Sequence, residues 1–162
     1  MFDFLKALYN RIERSKNPLK YWKKKGVVIG NDCKISSCSF GSEPYLITIG
    51  NHVQITDGVK FFTHGGGWVL RLQIPDFDTF GKIVIGDNVY IGNNAMILPG
   101  CRIGDNVVIG AGSVVTKSVP SNCIVAGNPA RIIKTFEEYC QSLIPHNFHT
   151  AKMGGGVKSL SY

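Results

Sequence analysis

Aliphatic side chains return every six residues through the middle of this chain, at Ile85, Ile91, Ile97, Ile103, Ile109 and Val115. Four positions after each stands a small or β-branched residue: Val89, Ala95, Cys101, Val107, Ser113 and Val119. The same rhythm runs earlier through Ile49, Ile55 and Phe61, and through Ile29 and Ile35. A period of six fits neither an α-helix nor an ordinary alternating strand. It fits a coil of three short strands, each followed by a tight bend, with about 18 residues per turn. The aliphatic residue then fills the interior of each strand, and the small residue four places on faces inward near the corner. Gly50-Asn51, Gly86-Asp87-Asn88 and Gly104-Asp105-Asn106 supply bends, since Gly, Asn and Asp tolerate positive φ. Stacked coils would repeat at about 4.8 Å, pairing each interior backbone group with the coil above or below.

The repeat breaks twice. Ile35 and Ile49 are fourteen apart, so two extra residues sit near Gly41–Pro44. Between Phe61 and Ile85 the chain makes an excursion over residues 65–82, containing Gly65-Gly66-Gly67, Trp68, Arg71, Pro75, Asp76 and Asp78. A regular solenoid has no structural need for such a loop, and its aromatic and charged content points to function.

Composition sets the remaining bounds. The 162 residues are 44% hydrophobic and 18% charged, which suits one globular unit. No apolar run approaches the ~20 residues of a spanning helix, and no secretory signal is expected at the N-terminus. The five cysteines, at 33, 38, 101, 123 and 140, form no CxxC pair. They read as reduced thiols of a cytoplasmic protein, not as a structural zinc site. The net charge of +7 is concentrated, because residues 1–25 hold eight Lys/Arg against Asp3 and Glu13.

That basic segment carries Phe2, Leu5, Leu8, Tyr9 and Ile12 at helical spacing. It predicts an amphipathic helix with two readings. One has it pack over the first coil and cover its open edge. The other attaches it to an anionic membrane surface, aided by Lys23-Lys24-Lys25. A C-terminal helix is expected over 132–144, followed by a mobile tail from His146 with Gly154-Gly155-Gly156. The chain thus divides into a basic helix and linker (1–26), a β-helix domain with its loop at 65–82 (27–131), and a C-terminal helix and tail (132–162).

Four histidines are candidates for proton chemistry. His146 and His149 belong to the tail and read as solvated. His52, after Gly50-Asn51, reads as a polar bend residue. His64 ends the last strand before the long loop, in Phe62-Thr63-His64-Gly65-Gly66-Gly67, where glycines leave the imidazole uncrowded. The residues alone leave His64 open between a catalytic role and a surface histidine.

Over about residues 27–134 the pattern resembles the hexapeptide-repeat family. Its motifs here are Ile85-Gly86-Asp87-Asn88-Val89-Tyr90-Ile91-Gly92, Gly110-Ala111-Gly112-Ser113-Val114-Val115-Thr116-Lys117 and Gly127-Asn128-Pro129-Ala130-Arg131. The resemblance implies an all-β fold, a left-handed parallel β-helix with short N- and C-terminal helices. That hand runs against the usual right-handed crossover and comes from the resemblance alone. Within the family the chain is similar to acetyltransferases that modify sugars and related small acceptors. Members carry a histidine at the start of such a loop, then an aromatic residue and an arginine. This implies His64 as the catalytic base, with Trp68, Arg71 and Asp57 toward the acceptor. The coenzyme A groove would draw on Tyr90 (where many members have tryptophan), Asn93, Ala111, Thr116, Lys117, Arg131 and Lys134. Lys117, Arg131 and Lys134 suit its phosphates. The family also implies a homotrimer with sites between subunits.

Acetyl transfer from a thioester to a hydroxyl needs a base, and a histidine with an ordinary pKa near ~6.5 can serve at neutral pH. The developing oxyanion needs a donor, expected to be a backbone N–H. Asp57 or a backbone carbonyl could orient His64. No cysteine stands in a recognisable Cys/His nucleophile setting, so direct transfer from acetyl-CoA is expected, without metal. The acceptor reads as a saccharide hydroxyl in surface polysaccharide assembly, on a nucleotide- or lipid-linked sugar. An amine or amino-acid acceptor stays open, as does a non-catalytic scaffold role. A zinc carbonic anhydrase of the same fold would need a third histidine beside His52 and His64. The expected setting is cytoplasmic, with contact to a membrane surface through the basic N-terminus and none to nucleic acid.

Overall fold

A computed structural model describes residues 2–148. Helix α1 (Phe2–Lys16) gives way to α2 (Pro18–Lys24) at Asn17, whose side chain accepts the Lys20 N–H while Pro18 opens the new helix. The chain then winds through β1 (Val28–Ile29), β2 (Lys34–Ile35), β3 (Ile47–Ile49), β4 (Val53–Ile55), β5 (Lys60–Phe61), β6 (Ile83–Ile85), β7 (Val89–Ile91), β8 (Met96–Ile97), β9 (Arg102–Ile103), β10 (Val107–Ile109), β11 (Val114–Val115), β12 (Cys123–Ala126) and β13 (Arg131–Thr135), and closes on α3 (Phe136–Leu143).

The strands stack into three sheets, ordered β1-β3-β6-β9, β13-β12-β10-β7-β4-β2 and β11-β8-β5. All pairs are parallel except β12 with β13. These are the three walls of a prism, hereafter the first, second and third. The register measures the coil. Val89 pairs Val107 at a step of 18, Val53 pairs Val89 at 36, and Val28 pairs Thr48 at 20. The excursion therefore adds one coil's worth of chain, and the earlier break adds two residues.

The repeat residues do what the period requires. Ile85, Ile91, Ile97, Ile103, Ile109 and Val115 are buried, as are Val89, Ala95, Cys101, Val107, Ser113 and Val119. Burying each large aliphatic contributes about 1.5–3 kcal/mol. The interior Ser113 hydroxyl accepts the Gly127 N–H at 3.1 Å. Phe40 stacks on Phe61 at 4.7 Å, and Trp22 meets Phe40 edge-on at 4.9 Å.

Three expectations need correction. At the corner between the first and second walls it is Asp32, His52 and Asn122, with the expected Asn88 and Asn106, that carry positive φ, while Gly50, Gly86 and Gly104 do not. Gly86 is glycine for another reason, since a Cβ there would press on Gly104 and Asp105 of the next coil. The first coil is covered by α2, through buried Trp22, while α1 has α2 as its main neighbour. Finally, 131–135 is strand, because β-branched Ile132 and Ile133 extend the second wall, so the boundary drawn at 131/132 falls inside β13. Helix α3 begins at Phe136 behind a capping box between Thr135 and Glu138. Of the mobile tail expected from His146, His146 itself closes a 3-10 turn, Ile144–His146, and the part from residue 149 lies outside the described residues.

Candidate functional site

Both breaks in the repeat emerge at one corner, where the third wall turns into the first. On the first coil the corner holds Glu43, ahead of the 3-10 turn Pro44–Leu46. On the second it holds Thr63 and His64, where the long loop leaves. The loop returns one strand away, with His64 bridged to Phe80 and the Gly81 N–H donating to the Thr63 carbonyl at 2.7 Å.

That stacking joins three side chains. The Thr63 hydroxyl donates to Glu43 Oε2 at 2.6 Å, and His64 Nδ1 stands 2.7 Å from the same oxygen. A carboxylate can only accept, so Nδ1 carries the proton and Nε2 keeps its lone pair. Thr63 is buried, the Glu43 side chain is 16% exposed and that of His64 is 42% exposed. The hydroxyl of Thr63, and then the His64 N–H, hold the Glu43 carboxyl below the ordinary carboxylate range. The Phe80 ring lies 5.9 Å from the imidazole, edge-on. Beyond His64 the space is open, and nothing would meet a Cβ at Gly65 or Gly66. The geometry gives a fixed, outward-facing base.

The orienting group is thus Glu43, not Asp57 or a backbone carbonyl. Asp57 sits at the corner between the second and third walls, where its carboxylate accepts the Ser37 N–H at 3.0 Å. Sequence reading missed Glu43 and Thr63. The available signal was the two-residue break at Gly41–Pro44, which lies one coil below His64.

Other candidates separate by corner. Asn93 and Ala111 share Asp57's corner on successive coils, with the Gly112 N–H donating to the Asn93 carbonyl at 2.8 Å. Thr116 and Lys117 lie on His64's own corner, two coils further on, which the strand spacing puts at about 10 Å. Lys117 and Arg131 line a cavity of about 460 Å³ with Val115, Val119, Pro120 and Ile132. Among the described residues no carboxylate pairs with either cation. Arg131 Nη1 donates to the Ala130 carbonyl at 3.0 Å. Two unpaired cations in an apolar groove suit a phosphate-bearing ligand with a long apolar arm.

Tyr90 and Lys134 are not in that groove. Tyr90 projects from the second wall beside His52, Gln54 and Phe136, and Lys134 pairs with Ile124 on the same wall. His52 is a bend residue at a third corner, with Nδ1 2.9 Å from Asn88 Oδ1, so His52 and His64 stand apart. In the loop Trp68 is 78% exposed. Arg71 is committed to the loop itself, donating from Nε to the Phe77 carbonyl at 3.0 Å, facing Asp78 at 3.9 Å and lying over the Trp68 ring.

Comparison with known proteins agrees with this architecture. A family profile described as bacterial transferase hexapeptide (six repeats) matches residues 82–117. Protein CapG of Staphylococcus aureus is 50% identical over 161 residues, covering 97% of this chain and 91% of CapG. The galactoside O-acetyltransferase of Escherichia coli is 41% identical over 96 residues, 59% of this chain and 47% of its own length. A hexapeptide-repeat acetyltransferase of Vibrio cholerae, solved with acetyl coenzyme A, superposes with a TM-score of 0.62 at 34% identity, over 69% of this chain and 61% of that one. This likeness implies the left-handed winding expected from the resemblance. From the six-residue repeat, the three-walled coil and these relatives together, the chain belongs to the hexapeptide-repeat acetyltransferase family.

Proposed function

We propose that this protein moves an acetyl group from acetyl-CoA directly to a hydroxyl of a saccharide, with His64 as general base. The observation that carries the reading is the Glu43–His64 pair, which holds the Nδ1 proton and leaves Nε2 as the acceptor on a side chain that is 42% exposed. His64 Nε2 takes the hydroxyl proton as the acceptor oxygen attacks, and passes it to the leaving sulfur. Glu43 holds the ring plane and stabilises the imidazolium in between. Thr63 holds Glu43.

Acetyl-CoA supplies the activated acyl group. Lys117 and Arg131 would bind its phosphates, and the apolar groove between them would take its arm, along the corner that leads to His64. The Vibrio relative's complex with acetyl coenzyme A supports this donor. A saccharide acceptor is supported by the relative named for galactoside and by the exposed Trp68 of the loop, an aromatic face of the kind sugars stack on. Asp57, Asn93 and Ala111 lie at a different corner from His64 within one chain. A homotrimer would set one subunit's corner against its neighbour's and complete the site, which is why we include that assembly in the proposal.

The test is thiol release from acetyl-CoA over a panel of sugars, amino acids and amines, with wild type beside His64→Ala. Turnover with sugars and a loss of ~10²-fold or more in the variant supports the reading. Turnover with amino acids or amines alone overturns the acceptor, and an unimpaired His64→Ala overturns the base.

A further inference from the structure

Helix α1 turns its apolar side chains to solvent. Phe4, Leu5, Leu8, Tyr9 and Ile12 are 72, 56, 44, 55 and 44% exposed. At roughly 100° per residue they form one stripe about 140° wide. Arg11 and Lys16 fall at its two margins, with Lys6 and Arg14 behind. Helix α2 and the residue after it add Lys20, Lys23, Lys24 and Lys25, all exposed. Glu13 is already engaged, by Lys24 at 3.7 Å and by the Tyr9 hydroxyl at 2.8 Å.

The stripe is not needed to close the β-helix, since Trp22 of α2 already covers the first coil. Among the described residues, none covers it. A second copy of α1 would oppose one +6 segment with another, and such like-charge contact is unfavourable. The basic flanks call for an anionic partner, and a continuous stripe of Phe, Leu, Tyr and Ile calls for an apolar layer beneath the anions. A bilayer surface rich in anionic headgroups offers both at the depth such a helix reaches. No described helix is long and apolar enough to cross a membrane, so α1 would lie in the interface plane.

We infer that α1 is an in-plane anchor for anionic lipid. Phe4, Leu5, Leu8, Tyr9 and Ile12 enter the acyl boundary, while the lysines and arginines of α1 and α2 sit among the headgroups. The inference does not depend on the acetyl-transfer reading, because it uses none of the residues at the His64 corner.

The experiment is sedimentation of the full chain with vesicles of phosphatidylcholine alone or mixed with phosphatidylglycerol. Light scattering gives the mass of the free protein. Wild type is expected to pellet with the mixed vesicles, to stay in solution with phosphatidylcholine alone, and to be released by high salt. Leu5→Glu/Leu8→Glu and Lys23→Glu/Lys24→Glu/Lys25→Glu should each cut binding by ~10-fold or more at unchanged mass. Wild type that ignores the mixed vesicles overturns the inference. So does a Leu5→Glu/Leu8→Glu variant that binds like wild type, since the stripe would then play no part. A fall in mass in that variant would assign the stripe to a second copy instead.

Discussion

His64 Nδ1 lies 2.7 Å from Glu43 Oε2, although the two residues are 21 positions apart in the chain. One coil of 18 residues, lengthened by the two of the early break, carries the chain from Glu43 to Thr63, and His64 is the next residue. Substitutions here should separate chemistry from fold. His64→Ala should lower kcat by ~10²-fold or more. Glu43→Gln, which keeps the shape and loses the charge, should lower kcat by about 10-fold with little change in KM. Thr63→Val removes the donor that pins the carboxylate and should follow Glu43→Gln in direction, while Thr63→Ser stays near wild type. Steady-state kinetics on the four variants checks this, and a Glu43→Gln enzyme with wild-type kcat would remove Glu43 from the site.

The same carboxylate makes stability depend on pH. The Thr63 hydroxyl and the His64 N–H lower its pKa in the folded state below the ordinary 4.5. A depressed carboxylate contributes stability that is present above its unfolded value and is lost as pH falls through the folded one. Glu138, held down by the Thr135 backbone N–H and hydroxyl, acts with the same sign. Denaturant midpoints should therefore fall as pH drops below about 4.5, and fall less steeply in Glu43→Gln.

Gly81 marks the seat of the loop's return. A Cβ there would run into the Gly100 N and the Pro99 carbonyl carbon on the next coil. Gly81→Ala should cost about 1–3 kcal/mol through overpacking. Because Gly81 also donates to Thr63, the variant should lose ~10-fold in activity through misplacement of its neighbour His64. Thermal melting and a turnover assay on one preparation test both effects.

The thiols should divide by wall and surface. Burial pushes Cys38 up to about 12, and raises Cys101 and Cys123 as well. With iodoacetamide at about pH 8, Cys33 and Cys140 should label in the folded protein, while the other three wait for unfolding. Mass spectrometry of timed samples reads this directly, and native Cys38 labelling as fast as Cys140 would contradict the packing.

The coil was legible because its demands are local and repeated. Every sixth residue must fill the same interior, so Ile85 through Val115 announce the walls one after another. The excursion was legible as the place where that demand lapses. What escaped were relationships across coils. Glu43 meets His64 only because two irregularities fall at the same corner, and neither residue carries a motif for the other. The second helix break had a local signal in Asn17-Pro18, an N-cap followed by a proline suited to the first helical turn. Strand β13 was obscured because Arg131–Thr135 runs straight into the helix of Phe136–Leu143, and a β-branched pair inside a mixed segment reads weakly. The motif around Tyr90 does not say which wall its side chain leaves, and the structure places it on the second wall, outside the cavity of Lys117 and Arg131.

Where the first and third walls meet, chain can be added without disturbing the ladders, since Val53 still pairs with Val89 across an insertion as long as a whole coil. The walls are closed above and below that point, and the extra segment hangs outside them. Ahead of its packed return at Phe80 and Gly81, heritable change in this segment is therefore largely uncoupled from the risk of misfolding. A lineage could rewrite residues 65–79, and so reshape the surroundings of His64, while the inward aliphatics stayed under unaltered selection.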